Sequence, residues 1–423
     1  MKKSIVPYKW ELIIMFWFAY FLNQGDRQIY NVVLPLIGDD LHLSDVQLGL
    51  VATVFTIAYG CIVPIAGFLG DFMSRKKIVF VSVLVFSVGT LFTGFANGLF
   101  LLILLRGITS GGGEALYYPS AMSLVSQYHQ KTRAMAMSIH QTSLYVGIVA
   151  SGFIAGYIGE HWGWRFSFAT FGVGGLLLCI YLWFRLKDTP HVRSALPLCS
   201  EKNENKGEKL KLSYVTREIF RKKTVWMLCI AFGCMCFVNI GFVTWMSTYY
   251  YETFHLSLST AGFTSMFYHF AAALIGVLIG GRLSDRFAQT HKKARILTEF
   301  IGLACGAPFI FLMASTPNLY VSYVMLALFG FFRGIYDSNL YAALYDVIRP
   351  ELRASSTGIM TAFAFIVGAL APLGIGYLKG VCGLSVGISL LSLFYVAGAI
   401  AILIAMRFFF LKEYYVEKCK NEM

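Results

Sequence analysis

The chain has 423 residues, of which 57% are hydrophobic and 13% charged, and its mean hydropathy is +0.66. A soluble protein of this size carries about twice that charged fraction, so the composition predicts a polytopic membrane protein. The net charge of +13 lies in short basic clusters at the ends of apolar segments, which indicates membrane topology rather than nucleic-acid binding. The nine cysteines form no CxxC pair, so neither a disulfide framework nor a metal site is indicated.

Twelve segments are apolar over the length that a helix needs to cross a membrane, which is about 20 residues. In chain order they are 10–36, 44–70, 78–96, 98–127, 134–158, 165–186, 224–250, 258–284, 295–315, 318–347, 355–379 and 384–411. Lys and Arg gather in alternate loops and at both ends of the chain, so the positive-inside rule predicts cytoplasmic termini. A polar linker, residues 187–223, separates an N-terminal bundle (1–186) from a C-terminal bundle (224–423).

The two halves of the chain resemble each other. Residues 67–71 read GFLGD after the second segment, and residues 281–285 read GRLSD after the eighth. Arg133 and Arg353, each followed by Ala, recur at an offset of 220 residues. Duplicated six-helix halves are typical of secondary transporters that bind their solute at the midplane between the repeats.

The first and fourth segments carry ionisable residues, which are costly inside a membrane and therefore indicate a function. Asp26 and Arg27 are adjacent in the first segment, and Arg106 and Glu114 lie in the fourth. The rise of a helix places Asp26 and Glu114 near the middle of the membrane. The expected pairing joins Asp26 to Arg106 and Arg27 to Glu114, although the reverse stays open. A purely structural role, holding the two helices together, is the alternative.

The loop GFLGDFMSRKK, residues 67–77, resembles the loop signature of the major facilitator superfamily, and the resemblance covers essentially the whole chain. It implies two six-helix bundles whose cytoplasmic loops latch in one state and release in the other. We therefore expect Asp71, Arg75, Asp285 and Arg286 to act in gating. Two residues depart from the signature, Phe72 in place of Arg and Ser74 in place of Gly, which suggests a weaker latch. A cluster that only sets topology is the alternative.

Two motifs narrow the resemblance: Asn23-x-x-Asp26-Arg27 and Arg106-Gly-x-x-x-Gly-x-Gly-Glu114. Together they resemble the anion:cation symporters, which include carriers of sugar acids and sialic acid, and they are similar to spinster-type lipid transporters. In the sugar-acid carriers the matching acids are the proton sites and the matching arginines contribute to anion recognition. The resemblance implies no cofactor beyond the proton as coupling ion.

Such a network explains coupling of proton and anion. A carboxylate beside an Arg stays ionised, whereas one left alone in a low-dielectric cavity takes up a proton. If an anion draws Arg27 away from Glu114, that acid becomes protonated, and proton and anion move together.

Polar residues on later helices are further candidates for binding the anion. In helix 5, His140 and Gln141 lie where the symporters place substrate-facing residues, although a lone His in an apolar helix is more often structural. In helix 7, Tyr249 lies one turn after Trp245, so it either stacks on a sugar ring or belongs to an interfacial aromatic belt.

Helix 10 contains Arg333, Asp337 and Asn339. At the offset of 220, Arg333 matches a position next to Glu114, so it is expected to clamp a carboxylate from the second half. An i,i+4 ion pair with Asp337 is the alternative. Asn339 is a further candidate for substrate binding.

These observations predict a proton-coupled symporter of a small organic anion, most simply a sugar acid, in a bacterial inner membrane. Its expected partners are the anion, protons and membrane lipid, with no nucleic acid, and the expected form is a monomer. A spinster-like exporter of lysolipid and a transporter-like sensor are the alternatives. No GxxxxGK[ST] or HExxH motif indicates an enzyme.

Overall fold

The computed structural model describes residues 7–129, 132–187, 221–349 and 352–415. Within these ranges the protein consists of twelve long helices, with no strand. They are α1 (Tyr8–Leu41), α2 (Asp45–Phe72), α3 (Arg75–Thr93), α4 (Leu99–Tyr128), α5 (Arg133–Trp162), α6 (Trp164–Arg185), α7 (Lys223–Phe254), α8 (Leu258–Ala288), α9 (Ala294–Ser315), α10 (Leu319–Asp337, then a short helix Ala342–Tyr345), α11 (Arg353–Ala369, continued by Ala371–Cys382) and α12 (Leu384–Ile404, continued to Glu413).

The helices confirm the predicted all-α membrane fold, with boundaries within a few residues of the expected ones. In the described part of the chain, eleven helices are long and apolar enough to cross a membrane. The twelfth, α1, has 34 residues and is less apolar because it carries the polar group Asn23, Gln24, Asp26 and Arg27. The charged residues that single out α1 thus also weaken its signal as a membrane segment.

Local sequence explains where α2 and α3 begin. Ser44 caps α2 through a capping box, in which its hydroxyl accepts from the Gln47 amide and the Gln47 side chain accepts from the Ser44 amide. Ser74 caps α3 by accepting a hydrogen bond from the Lys77 amide at 3.3 Å. The departure at Ser74 from the family signature therefore has a structural use at this helix start.

Contacts group the chain into two compact units. Unit 1 comprises residues 1–203, Phe242–Phe267 and Pro372–Leu384. Unit 2 comprises residues 204–241, Tyr268–Ala371 and Ser385–Met423. The predicted division at residues 187 and 223 stays a prediction, and most of the predicted linker lies outside the described residues.

In unit 1, Lys379 joins three helices by ion pairs. Its Nζ lies 2.8 Å from an Asp45 oxygen at the start of α2 and 2.7 Å from a Glu252 oxygen near the end of α7. The indole of Trp245 lies beneath the same ammonium group at 5.5 Å and donates a hydrogen bond to the Pro372 carbonyl. These contacts attach the ends of α7 and α11 to α2.

The apolar core of unit 1 holds α1 against α3, α4 and α6. It is built from fully or almost fully buried residues of each helix, namely Leu12, Ile13 and Phe16 of α1, Val79, Val83 and Phe86 of α3, Tyr117 and Leu124 of α4, and Cys179 and Leu182 of α6. Because these residues pack closely, the polar residues two to three turns further along α1 are held at a fixed height against α3 and α4.

Candidate functional site

Four charged side chains of α1 and α4 meet inside unit 1. Arg27 Nε lies 2.5 Å from Glu114 Oε2, and Arg106 Nη1 lies 2.9 Å from Asp26 Oδ2. This is the expected one of the two pairings. A third contact was not predicted: the same Arg106 Nη1 lies 3.7 Å from Glu114 Oε1. Both carboxyl groups are therefore within 4 Å of one nitrogen, so the four residues form one network rather than two separate pairs.

Burial separates Arg27 from the other three charges. The side chains of Asp26, Arg106 and Glu114 are 3% exposed or less, whereas that of Arg27 is 26% exposed. Two acids and two bases cancel, which is how charges are tolerated in a low-dielectric interior. Glu114 Oε1 and Arg106 Nε have no hydrogen-bond partner among the described residues. Arg27 Nη2 is likewise buried without a hydrogen-bond partner among the described residues. The network thus keeps unused hydrogen-bonding capacity at both arginines and at Glu114.

Aromatic rings of α2 face both guanidinium groups. The Arg106 guanidinium lies 4.4 Å from the Phe55 ring centre, and that of Arg27 lies 4.2 Å from the Tyr59 ring centre. Cation–π contacts at such distances stabilise a desolvated guanidinium by about 2 kcal/mol. They also fix its plane, so each Arg is oriented toward its carboxylate.

The backbone of α4 changes its winding at the network. Residues Ile103–Ser110, which include Arg106, form a π-helical stretch, a rare form that is often found at functional sites. Directly after it, a Cβ on Gly111 would lie 2.8 Å from the Phe55 carbonyl oxygen of α2. Glycine is therefore needed there, because it lets α4 lie close enough to α2 for the ring of Phe55 to reach Arg106.

Thr90 of α3 belongs to the network, although the sequence did not single it out. Its hydroxyl oxygen lies 2.6 Å from Asp26 Oδ1 and 2.8 Å from the Phe86 carbonyl oxygen of its own helix. When Asp26 is ionised, Thr90 donates its single hydroxyl proton to Asp26 Oδ1. If Asp26 holds a proton, Asp26 donates to Thr90 and the hydroxyl donates to Phe86 instead. Thr90 can therefore satisfy Asp26 in both protonation states.

His140 of α5 lies in an aromatic stack beside the network. Its ring is 4.6 Å from the Tyr20 ring at an interplanar angle of 17°, and its Nε2 is 3.2 Å from the Tyr117 hydroxyl oxygen. That hydroxyl donates to the Phe16 carbonyl at 2.8 Å, so it accepts from His140 and the imidazole proton lies on Nε2. His140 Nδ1 is a buried acceptor that has no hydrogen-bond partner in the described part of the chain.

Gln141 and Tyr249, the other candidates in unit 1, have different surroundings. Gln141 is half-buried on α5 beside His140. Tyr249 is fully buried and packs against Tyr250 and Phe254 at the end of α7. Their roles in binding stay predictions.

A model of the Major Facilitator Superfamily matches residues 16–372. The chain belongs to this superfamily of membrane transporters. It is 27% identical over 369 residues to a probable sulfoacetate transporter of Cupriavidus necator, an alignment that covers 85% of this chain and 84% of the relative. It is 26% identical over 396 residues to a hexuronate transporter of Bacillus subtilis, with 91% of each chain covered.

The fold is shared with a solved transporter. The crystal structure of a bacterial homologue of the human lysosomal transporter Spinster, in an inward-facing and unoccupied conformation, matches with a TM-score of 0.83. The sequence identity is 21%, and the match covers 98% of this chain and 100% of that chain. This likeness establishes the major facilitator fold.

In unit 2 of the transporter, Arg333 is bound by residues of its own unit. Its Nη1 donates to His269 Nε2 at 2.8 Å, and its Nε lies 3.5 Å from Asp337 Oδ2. The pair with Asp337 was one of the two expected alternatives, and the contact with His269 was not predicted. Asn339 accepts a hydrogen bond from Ser284 of α8 at 2.6 Å. A role of Arg333 or Asn339 in anion binding stays a prediction.

The structure describes the side chains of three of the four candidate gating residues. The side chain of Asp71 lies outside what the structure describes, and Arg75 begins α3. In unit 2, Asp285 is exposed and lies 3.7 Å from Arg295 Nη2, while Arg286 is exposed. Arg295 instead pairs closely with Asp346, at 2.7 Å. Of the two contacts that Arg295 makes with described acids of unit 2, the one with Asp346 is therefore the closer.

Proposed function

We propose that the protein is a proton-coupled symporter of a small organic anion, and that this anion is a sugar acid. The observation that carries the proposal is the contact between Arg27, which is partly exposed, and Glu114, which is fully buried. An Arg that is exposed on one side and bonded to a buried acid on the other can exchange that acid for a carboxylate from solution.

Exchange at Arg27 couples the anion to a proton. When the anion binds Arg27, Glu114 keeps only the 3.7 Å contact with Arg106, which is already paired with Asp26. A buried carboxylate without a close donor takes up a proton rather than remain ionised. One negative charge and one proton then enter the site together, so its net charge stays at zero and the helices can move without carrying a net buried charge.

The relatives support an anionic solute. The two named above are called a sulfoacetate transporter and a hexuronate transporter, and both names denote small organic anions. The hydroxyl groups of a sugar acid match the acceptor His140 Nδ1 and the half-buried Gln141 beside it. We therefore place the carboxylate of the anion at Arg27 and its hydroxyl groups toward α5.

The proposal is tested by uptake into proteoliposomes under an inward proton gradient. The compounds are glucuronate, galactonate, gluconate, sialic acid and sulfoacetate, with neutral glucose and a lysolipid for comparison. Saturable uptake of an acid that a protonophore abolishes is the expected result. Uptake that is insensitive to the protonophore would show a carrier without proton coupling.

A matched pair of variants localises the coupling to the network. Asp26→Asn removes the buried carboxylate bound to Arg106, and it is expected to abolish gradient-driven accumulation. Asp40→Asn changes the same residue type on the same helix, but Asp40 is exposed and pairs with Arg165. Accumulation by the Asp40 variant should equal that of the unmodified protein, because exposed ion pairs contribute little.

A spinster-like exporter of lysolipid is the second candidate, because the motifs of α1 and α4 are shared with spinster-type transporters. Transport of the lysolipid with no acid transported would favour it over the symporter. Under the proposal, the protein works as a monomer in a bacterial inner membrane with both termini in the cytoplasm.

A further inference from the structure

Glu299, on α9 of unit 2, is a buried carboxyl group outside the network of α1 and α4. It is fully buried, and neither of its carboxyl oxygens has a hydrogen-bond partner among the residues that the structure describes. An isolated ionised carboxylate in a low-dielectric interior is so costly that the group becomes neutral instead. The geometry of Glu299 therefore corresponds to the protonated acid.

A cation lies one helical turn away from Glu299, but it is bound elsewhere. Arg295 precedes Glu299 by four residues on α9, a spacing that places the two side chains on one face of the helix. Its Nη1 binds Asp346 at 2.7 Å, while its Nε is buried and has no hydrogen-bond partner in the described residues. A buried donor and a buried carboxyl group, each unpaired, thus lie one turn apart.

Among the described residues, acidic, aromatic and basic groups surround Glu299 and Arg295, and Asp285 of α8, which is exposed, lies 3.7 Å from Arg295 Nη2. Asp346, just after the short helix Ala342–Tyr345, and Tyr336 of α10 both interact with it electrostatically. Tyr395 of α12 packs against α9 at Gly306. Arg353, at the start of α11, interacts with Asp346. Arg353 belongs to α11, whereas Arg295 lies on the same face of α9 as Glu299. Asp346 therefore competes with Glu299 for Arg295.

We propose that Glu299 is a proton-binding site that controls the ion pair between Arg295 and Asp346. With the proton bound, Glu299 is neutral and Arg295 stays on Asp346, which ties α9 to the end of the α10 segment. When Glu299 releases its proton to water, its carboxylate attracts Arg295 and weakens that tie. By linkage, breaking the tie also promotes release of the proton. The proposal is independent of the identity of the anion and of proton coupling at Asp26 and Glu114.

The test is infrared spectroscopy of the full-length protein in lipid nanodiscs, which detects protonated carboxyl groups by their C=O stretch. Glu299→Gln at neutral pH is expected to remove the signal of one protonated carboxyl group. Glu252→Gln, at an acid paired with Lys379, is the control and should remove none. An unchanged spectrum for the Glu299 variant would overturn the proposal.

Two further variants separate control of the ion pair from simple protonation. Asp346→Asn leaves Arg295 available, so the Glu299 signal is expected to disappear although Glu299 is present. Arg295→Gln removes the cation that would pair with ionised Glu299. The signal of protonated Glu299 should therefore persist to higher pH than in the unmodified protein. If the Asp346 and Arg295 variants both keep the pH dependence of the unmodified protein, Glu299 is protonated but does not control the pair. These two variants also provide the test if Glu299→Gln does not fold.

Discussion

Thr90 offers a sharp test of how the network holds its proton. Thr90→Val keeps the shape of the side chain but removes the hydroxyl that lies 2.6 Å from Asp26 Oδ1. The ionised form of Asp26 then loses a donor inside a site where it is almost completely buried. The protonated form loses less, because it keeps its own proton to donate.

The size of the effect follows from the strength of that hydrogen bond. A hydrogen bond to a charged group contributes about 1.5–3 kcal/mol to stability. Thr90 shares its single proton with the Phe86 carbonyl at 2.8 Å, which favours the lower end of this range. Since about 1.4 kcal/mol corresponds to a tenfold change in an equilibrium constant, Thr90→Val should displace the pH profile of uptake by about one pH unit.

The assay is the initial rate of uptake into proteoliposomes across a pH series, with the acid that the unmodified protein accumulates. Thr90→Ser keeps the hydroxyl and should retain the original pH profile. Thr93→Val is the matched control, because Thr93 is equally buried on α3 but its hydroxyl donates only to the Gly89 carbonyl. If Thr90→Val and Thr93→Val give the same profile as the unmodified protein, Thr90 does not govern the protonation of Asp26.

Glu114→Gln is expected to abolish accumulation driven by a proton gradient while exchange of labelled for unlabelled anion continues, because an amide keeps the shape of the acid but takes up no proton. Accumulation that survives in this variant would exclude Glu114 as the coupling site. Gly334→Ala should destabilise the protein by about 1–3 kcal/mol in thermal unfolding, because the new Cβ would lie 2.1 Å from the Ala273 carbonyl oxygen. Gly358→Ala, where a Cβ meets nothing within 4 Å, is its control and should leave the unfolding temperature unchanged or raise it.

Local sequence was sufficient for the membrane class and for the helices. A crossing requires about 20 apolar residues in a row, which is a property of one contiguous segment. The same reasoning identified Asp26, Arg27, Arg106 and Glu114, because the cost of burying a charge depends on the apolar residues around it in the chain. The rise per residue of a helix brought the two acids to similar depth, but it left both pairings of the acids with the arginines open.

Only the tertiary structure determines which groups share a proton or a cation. Arg106 contacts both carboxyl groups because a π-helical stretch and close packing against α2 orient its side chain. The glycines of α4 are visible in the sequence, but the π-helical winding has no signature there. A Thr in an apolar helix is ordinary, and Thr90 gained its role only from lying opposite Asp26, 64 residues away in the chain. His269 became the partner of Arg333 in the same way. The apolar pattern places each residue at a depth in the membrane, but packing of whole helices determines its neighbours at that depth.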